Sequence, residues 1–324
     1  IKAGTITNNS VGSVKLDFDS QDLDLMGSQI TLNSDPLTPT APSLISPGTT
    51  ILSGTVTPAQ PIRLLVRSVG YGPRGAQKIL EAVVQKNFFN GLSAPATLTL
   101  IGSTSAFHFD AGQSQNVTYS GNDVVSDVMI PPIGTSNGQN LNAVNANLSG
   151  SSNKADVIGT PADVSSEMPF WLQTSSNLDS ILQSLKNVAK SSGRYYPSGT
   201  TPPNVGNNAN ATGITFAEGD LDLNGSGGGI LIVTGNLTLR GNFDFNGLII
   251  VTGSEGVVRK GGGNLLLKGN IVVAPYDPNN VAAGFSSPKY DISGGGVSTI
   301  TYNSSSTGNG LTAISNFVLG VAEK

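Results

Sequence analysis

The pattern of apolar and polar positions is most regular over residues 219 to 275, where short apolar runs are separated by Gly or Gly-Asn. GILIVTG begins at Gly229, GLIIVTG follows eighteen residues later at Gly247, and GNIVV begins twenty-two residues further on at Gly269. The shorter runs LTL, FDF, VVR and LLL lie between them. Short strands repeated at this period are typical of the coils of a parallel β-helix, which are stable only when stacked. Antiparallel hairpins are the alternative, because Gly-Asn also favours hairpin turns.

Alternation with period two predicts further strands in the first part of the chain, as in VKLDFD (14 to 19) and IRLLVRSVG (62 to 70). QKILEAVVQK (77 to 86) fits either a helix face or the return strand of a hairpin after the turn YGPRG, and we predict the strand. Prolines make residues 35 to 48 an extended connector that does not belong inside a sheet. The sequence therefore predicts a β-rich, sandwich-like domain over residues 1 to 115.

One amphipathic helix is predicted over residues 177 to 190, preceded by a capping-box pattern formed by Ser176 and Asp179. We expect this helix to cover an open end or a flank of the coil stack, where it would protect strand edges. A membrane-surface helix is the alternative, but only Lys186 and Lys190 supply positive charge and the helix has no aromatic anchor. The apolar face comprises Leu178, Ile181, Leu182, Leu185, Val188 and Ala189.

Together these patterns predict a mostly β fold: a β-rich N-terminal domain followed by a short parallel β-helix, or solenoid, with one amphipathic capping helix. Residues 116 to 210 read as an irregular connector that carries the helix, because residues 120 to 168 are polar and rich in turn residues. Residues 211 to 324 then contain the solenoid and a C-terminal closing segment.

Composition narrows the class of protein. The 324 residues include 41 Gly and 18 Pro, and only 12% are charged, which suits an extracellular all-β protein. Absence of cysteine excludes disulfides, thiolate metal sites and a cysteine nucleophile, and a net charge of −4 argues against duplex nucleic acid as a partner. No apolar run approaches the ~20 residues that cross a bilayer. A leader or anchor removed before Ile1 remains compatible with the sequence.

Four segments in order resemble the surface domain of PilX-like pilus-assembly proteins, minor-pilin-type components of bacterial type IV pilus systems. The segments are PIRLLVRSVGYGPRGAQKILEAVVQK, YSGNDVVSDVMIPPIGT, the helix with its upstream PFWLQ, and GDLDLNGSGGGILIVTGNLTLRGNFDFNGLIIVTG. The resemblance implies an N-terminal hydrophobic helix that docks in the pilus or the membrane, followed by an exported β-rich domain. No such helix precedes Ile1 here, and the family offers no catalytic residues.

From this resemblance we expect a non-catalytic structural component of an extracellular, type IV pilus-like filament (a fimbrium) or of its assembly or tip complex, exported to the bacterial cell surface. Its expected partners are pilin subunits or identical copies, with a separate hydrophobic-helix subunit as a further option. Neither a cofactor nor nucleic acid is expected, and membrane contact would come only through an N-terminal anchor.

Candidate metal and catalytic residues are sparse. Asp17, Asp19, Asp22 and Asp24 alternate in LDFDSQDLDL and are weak Ca²⁺ candidates, as is Asp277 in YDPNN. The first group lacks the Gly turn and terminal Glu of a Ca²⁺ loop, which favours a solvated strand face. The single histidine, His108, rules out a multi-histidine metal site, and GYGPRGA (70 to 76) lacks the Lys-Ser/Thr ending of a phosphate loop.

Two other functions stay open. A surface adhesin or carbohydrate-binding module would use exposed aromatic rings for stacking, with Tyr71, Trp171, Tyr195 and Tyr196 as candidates, although Trp171 also suits core packing. A solenoid enzyme that cleaves polysaccharides would need a carboxylate pair such as Asp222 and Asp244. Both carboxylates alternate with Leu or Phe along their strands, which predicts that both point outward from the coil.

Overall fold

A computed structural model describes residues 92 to 112, 116 to 150, 155 to 294 and 296 to 306, and the backbone of five further strands. Strands make up most of its regular structure and the helices are few. The chain divides into two compact units, Ile1–Phe89 with Ile314–Lys324, and Asn90–Ala313. This division differs from the predicted boundaries at 115 and 210.

The first unit contains five strands: β1 (Ile6–Asn8), β2 (Gly12–Asp17), β3 (Ile62–Tyr71), β4 (Gln77–Lys86) and β19 (Phe317–Glu323). They form an antiparallel sheet in the order β1-β2-β3-β4-β19. Strand β4 pairs with β3 from Ile62 opposite Lys86 to Tyr71 opposite Gln77, so the hairpin predicted for this part of the chain is confirmed. Strand β19, near the C-terminus, pairs with β4 and thus belongs to this unit.

The second unit contains a fourteen-stranded sheet whose named strands all pair in parallel. Its strands are β5 (Leu98–Leu100), β6 (His108–Asp110), β7 (Val117–Ser120), β8 (Ile133–Thr135), β9 (Asp156–Ile158), β10 (Ala162–Asp163), β11 (Tyr195–Tyr196), β12 (Ile214–Ala217), β13 (Leu221–Val233), β14 (Leu237–Val251), β15 (Val257–Lys260), β16 (Asn264–Val273), β17 (Lys289–Asp291) and β18 (Val297–Thr301). Its helices are α1 (Gly138–Leu148), α2 (Phe170–Gln173) and α3 (Ser175–Ser191), with single 3₁₀ turns at Ser165–Glu167 and Val281–Ala283.

The parallel pairs form three rows. Row A runs β11, β12, the C-terminal halves of β13, β14 and β16, then β5, β8 and β10. Row B runs through the first residues of β13 and β14 to β15, β17 and β6. Row C runs through the middle of β13 and β14 and the start of β16 to β18, β7 and β9. One buried cluster takes side chains from all three rows, which is consistent with the predicted solenoid.

The predicted repeat is confirmed in register, since Gly229 lies opposite Gly247 and Gly247 opposite Gly269. Gly247 has a φ of 148°, and a Cβ built there would lie 1.9 Å from the carbonyl oxygen of Gly229. Only glycine combines that dihedral with so close an approach of two backbones. The glycines are therefore corner residues at which successive strands turn in step.

Row A does not follow the order of the sequence. The C-terminal half of β16 pairs with β5, a strand that comes much earlier in the sequence. Strands β8 and β10 then continue the row beyond β5. Residues 98 to 163 thus extend the stack formed by residues 195 to 301. For this reason they join the second unit, although the sequence placed them in a sandwich-like domain and a connector.

The strands of row A between its two end strands are buried on both faces, which explains why they consist of nearly unbroken apolar runs. Lys186 of α3 lies over the ring of Phe216, so α3 covers the face directed away from the interior cluster. The helix begins at Ser175, and Thr174, not the predicted Ser176, accepts the capping hydrogen bond from Asn177 N at 3.1 Å. The buried residues of α3 include Leu178, Leu182, Leu185 and Ala189.

Helix α1 lies in the stretch that the sequence described as polar and irregular. The side chain of Asn137 caps it by accepting from Asn140 N at 2.8 Å, and Val144 joins the interior cluster. The helix packs against β6, β8 and β10, which are the last strands at that end of rows A and B. Helix α1 thus lies over that end of the stack, while α3 covers a flank, one of the two positions predicted for residues 177 to 190.

Arg259 is an exception in the interior. It is the register partner of Leu239 on the neighbouring strand β14 and is only 3% exposed. Its guanidinium donates to the carbonyl oxygen of Val297 at 3.1 Å, to the Ser298 hydroxyl and to the Gly263 carbonyl oxygen. Burial lowers the pKa of Arg259 from its ordinary value. These hydrogen bonds compensate a charge that burial would otherwise disfavour strongly.

Candidate functional site

Residues 121 to 130 form a small hairpin at the surface of the second unit, which we call the 121–130 hairpin. Asn122 pairs with Met129 in an antiparallel bridge, and Ile130 N donates to the carbonyl oxygen of Gly121 at 3.0 Å. A Cβ at Gly121 would lie 1.8 Å from the carbonyl oxygen of Ile130, so the base of the hairpin requires glycine. Gly121 N also donates to Ile158 O of β9 at 3.0 Å, which fixes the hairpin to row C.

Asp123 fastens this hairpin to a distant part of the chain. Its carboxylate accepts hydrogen bonds from the Ser126 hydroxyl at 2.6 Å and from the backbone N and hydroxyl of Ser304 at 3.0 and 2.6 Å. Burial acts to raise the pKa of Asp123, but these hydrogen bonds outweigh it and hold the pKa below its ordinary value. The charged form of Asp123 is therefore the one that keeps the hairpin in place.

The 121–130 hairpin exposes apolar side chains. Among the described residues, four of the six exposed large hydrophobic side chains belong to it, and Ile158 lies next to its base. Isolated exposed apolar residues are ordinary, but a rigidly held group of them is typical of an interaction surface. The four are Val124, Val125, Val128 and Met129, at 48%, 56%, 55% and 62% exposure.

A second feature is an open groove of about 530 Å³ near the ends of β5 and β8. Leu172 and Met168 give it an apolar floor, and Phe285 is a half-buried ring on its wall. Its polar lining consists of hydroxyl and amide groups without a charged side chain. These are Ser103, Ser136, Ser165, Ser166 and Gln173.

The β11 end of row A carries a compact ionic group. Lys186 forms a salt bridge with Glu218, and the Tyr195 hydroxyl donates to Glu218 Oε2 at 2.7 Å. The hydrogen bond from Lys186 lowers the pKa of Glu218, and the hydrogen bond to Glu218 raises the pKa of Lys186. Lys190 lies 4.8 Å from the centroid of the Tyr195 ring. This group fixes the end of α3 on the first strands of the row.

The residues predicted for glycan stacking do not come together as one site. Trp171 is 3% exposed and donates to the carbonyl oxygen of Ser93 at 3.3 Å, so its ring is part of the interior and cannot stack on a sugar. Tyr195 and Tyr196 are half-buried at the end of row A. Tyr71 lies on β3 of the other unit, where only the backbone is described.

The candidate acidic residues also stay apart. Asp222 lies in row B, where it bonds to Arg240 at 2.5 Å, whereas Asp244 lies in row C. Asp277 accepts from Asn279 N at 2.8 Å within its own turn. Asp17 lies on β2, and Asp19, Asp22 and Asp24 fall outside the described residues, as does most of the GYGPRGA turn. The described residues contain no cluster of three or more metal-ligating side chains.

His108 lies in β6 at the surface, with its Nε2 3.8 Å from Asp291 Oδ2. Among the described residues, no helix is both long and apolar enough to cross a membrane. Comparison of the chain with protein-family models, with curated proteins and with solved structures gave no match in any of the three.

Sequence reasoning did not find the 121–130 hairpin or the groove. The sequence of the hairpin, NDVVSDVMI, has the apolar content of a buried strand. Only its Asn-Asp start and its Ser-Asp centre indicate a turn. The groove is lined by segments far apart in sequence, so no local pattern predicts it.

Proposed function

We propose that this chain is a non-catalytic structural component of an extracellular, type IV pilus-like filament or of its assembly or tip complex. In this proposal the second unit is a short parallel β-solenoid that serves as a rigid body. The observation that carries the proposal is the 121–130 hairpin, an apolar surface held in a fixed conformation. We propose that it contacts a neighbouring subunit of the filament.

The size of this surface suggests how it would act. Complete burial of an aliphatic side chain contributes about 1.5 to 3 kcal/mol, and these four side chains are already about half buried, so each contributes about 1 kcal/mol more. A total of about 4 kcal/mol does not exceed the roughly 4 to 15 kcal/mol that association costs in lost translational and rotational freedom. Such a contact is too weak to hold two free molecules together but is sufficient in an assembly, where several contacts act at once.

The experiment is to look for the chain in filaments sheared from the producing cells, by antibody labelling and cryo-EM. A variant with Val125→Asp and Val128→Asp should be exported normally but depleted from the filaments, because two charges would be buried in the contact. Val297→Asp is the matched control, since Val297 is 41% exposed but lies on β18, outside the hairpin. Recovery of the unaltered chain from the cytosol alone, with none in filaments, would overturn the proposal.

A surface adhesin or carbohydrate-binding module is the second candidate, and the groove beside β5 and β8 favours it. Hydroxyl and amide groups around an apolar floor, with one ring on the wall, suit an uncharged ligand such as a neutral glycan. The measurement is binding to a glycan array. Phe285→Ala and Gln173→Ala should abolish binding, whereas Tyr196→Ala, at the far end of row A, should not. Absence of saturable binding by the unaltered protein would exclude this function.

A further inference from the structure

The two outermost strands of row A, β10 and β11, occupy equivalent positions at its opposite ends. Tyr195 and Ala162 terminate one continuous column of register partners, and Tyr196 and Asp163 terminate the neighbouring column. The first column is Tyr195, Phe216, Ile232, Ile250, Val272, Thr99, Gly134 and Ala162. The second is Tyr196, Ala217, Val233, Val251, Val273, Leu100, Thr135 and Asp163.

Each of these end strands has one unpaired edge within the described part of the chain. β10 pairs with β8 alone, and β11 pairs with β12 alone; α1 packs against β10 but forms no strand pair with its outer edge. All strands of the row run in the same direction, so a second copy displaced along the row would present its β11 to β10 with the polarity and register that the row already repeats. Unpaired strand edges of this kind are templates for the addition of another strand.

Charges beside the two edges have opposite signs. Asp163 and Glu167 are exposed at the β10 end, whereas Lys190 is exposed and Arg194 half-buried at the β11 end. The Arg194 guanidinium donates to the side-chain oxygens of Asn204 and Thr215, neither of which is charged. Opposite charges across a contact accelerate association and select its orientation.

We propose that copies of this chain join head to tail, with β10 of one copy pairing in parallel with β11 of the next. Such a contact uses two different surfaces and leaves a free edge at each end, so it generates an open filament instead of a closed dimer. The inference deepens the proposed function and rests on it for the filament setting, because it names a second copy of the chain as a partner. The contact itself can be tested in purified protein.

Cysteine cross-linking tests this pairing in the full-length chain, which contains no cysteine of its own. Paired strands lie about 4.8 Å apart, within the 4.4 to 6.8 Å between Cα atoms that a disulfide spans. Ala162→Cys and Tyr195→Cys proteins are mixed under mild oxidation. We expect disulfide heterodimers to form at least about tenfold faster than with the control pair Ala162→Cys and Gly262→Cys, because only strand pairing holds two thiols at bonding distance.

The double variant with both Ala162→Cys and Tyr195→Cys should give a ladder of multimers on a non-reducing gel. Asp163→Cys mixed with Tyr196→Cys is a second in-register pair, which keeps the test valid if loss of the Tyr195 hydroxyl disturbs Glu218. Heterodimers no faster than the Gly262→Cys control for both pairs would overturn the inference. So would a predominance of Ala162→Cys homodimers, since these indicate a symmetric contact.

The outcomes separate this inference from the proposed function. If the chain is found in filaments but neither cysteine pair cross-links, the filament role stands and the head-to-tail contact is wrong. If the pairs cross-link but the chain is absent from filaments, the contact stands and the filament role is wrong.

Discussion

Replacement of Gly247 by alanine should destabilise the second unit strongly. A non-glycine residue at its φ of 148° costs about 1 to 3 kcal/mol. The new Cβ would also lie 1.9 Å from the Gly229 carbonyl oxygen, and the displacement that this forces on packed strands costs about 1 to 3 kcal/mol more. A loss of about 4 kcal/mol corresponds to a melting temperature lower by about 8 to 16 °C for a unit of this size.

Substitutions at two other glycines distinguish the cost of the backbone dihedral from the cost of the close approach of the new Cβ. Gly241 has a φ of 55° with open space around its Cβ position, so Gly241→Ala should cost about 1 to 2 kcal/mol from the dihedral alone. Gly262 has neither a positive φ nor a close neighbour, and Gly262→Ala should be neutral or slightly stabilising. The order of stability should therefore be Gly262→Ala, then Gly241→Ala, then Gly247→Ala.

Tryptophan fluorescence is the appropriate assay, because the only tryptophan, Trp171, is buried in the second unit. Its emission during thermal or urea unfolding reports on that unit without a signal from the other. If Gly247→Ala is no less stable than Gly241→Ala, the close approach of successive backbones at the glycine corners does not exist, and the explanation of the repeat is wrong.

Three further predictions concern side chains. Asp123→Asn should increase amide exchange in the 121–130 hairpin by about tenfold or more, since hydrogen bonds to a charged group contribute about 1.5 to 3 kcal/mol. Because folding lowers the pKa of Asp123, its contribution is full above about pH 5 and is lost progressively as the pH falls through about 4 towards the lower pKa of the folded state. Leu182→Ala in α3 should cost about 3 kcal/mol by fluorescence-monitored urea unfolding. Arg259→Lys should cost about 2 kcal/mol in the same assay, because lysine lacks the planar fork that reaches Gly263 and Ser298 together.

Matched variants control these measurements. Asp222→Asn removes an exposed carboxylate and should change stability by less than about 1 kcal/mol. Gln183→Ala, on the exposed side of α3, should leave the unfolding midpoint unchanged. Equal protection of the hairpin amides at pH 3 and pH 7, after correction for the intrinsic exchange rate at each pH, would contradict the role of Asp123. Equal effects of Leu182→Ala and Gln183→Ala would contradict the burial of row A by α3.

The repeat in row A could be predicted because its signal is local. Gly229, Gly247 and Gly269 each precede an aliphatic run that ends four residues after the glycine, and this identical spacing fixes the register. Helix α3 was predictable for the same reason, since its apolar positions recur every three or four residues. In both cases the residues that define the element are close together in the sequence.

Features that depend on distant residues could not be predicted. Strands β5 and β8 are three residues long and become a row only by pairing beyond β16. Helix α1 contains four asparagines, which favour helices poorly, and depends on its cap and on the packing of Val144. In the sequence Asp123 looks like an ordinary surface charge, because Ser304, which donates hydrogen bonds to it, lies 181 residues later.

The order of strands in row A sets a constraint on biosynthesis. β5, which leaves the ribosome early, needs β16 as its neighbour, and Ile271 is made 173 residues after Leu98, its register partner. Residues 98 to 163 must therefore wait, with unsatisfied strand edges, until the later coils have formed. Contacts between residues so far apart in sequence slow folding and expose intermediates to aggregation. A chain built in this way should depend on a holding chaperone, or on completion of synthesis before folding, more than a solenoid that winds in sequence order.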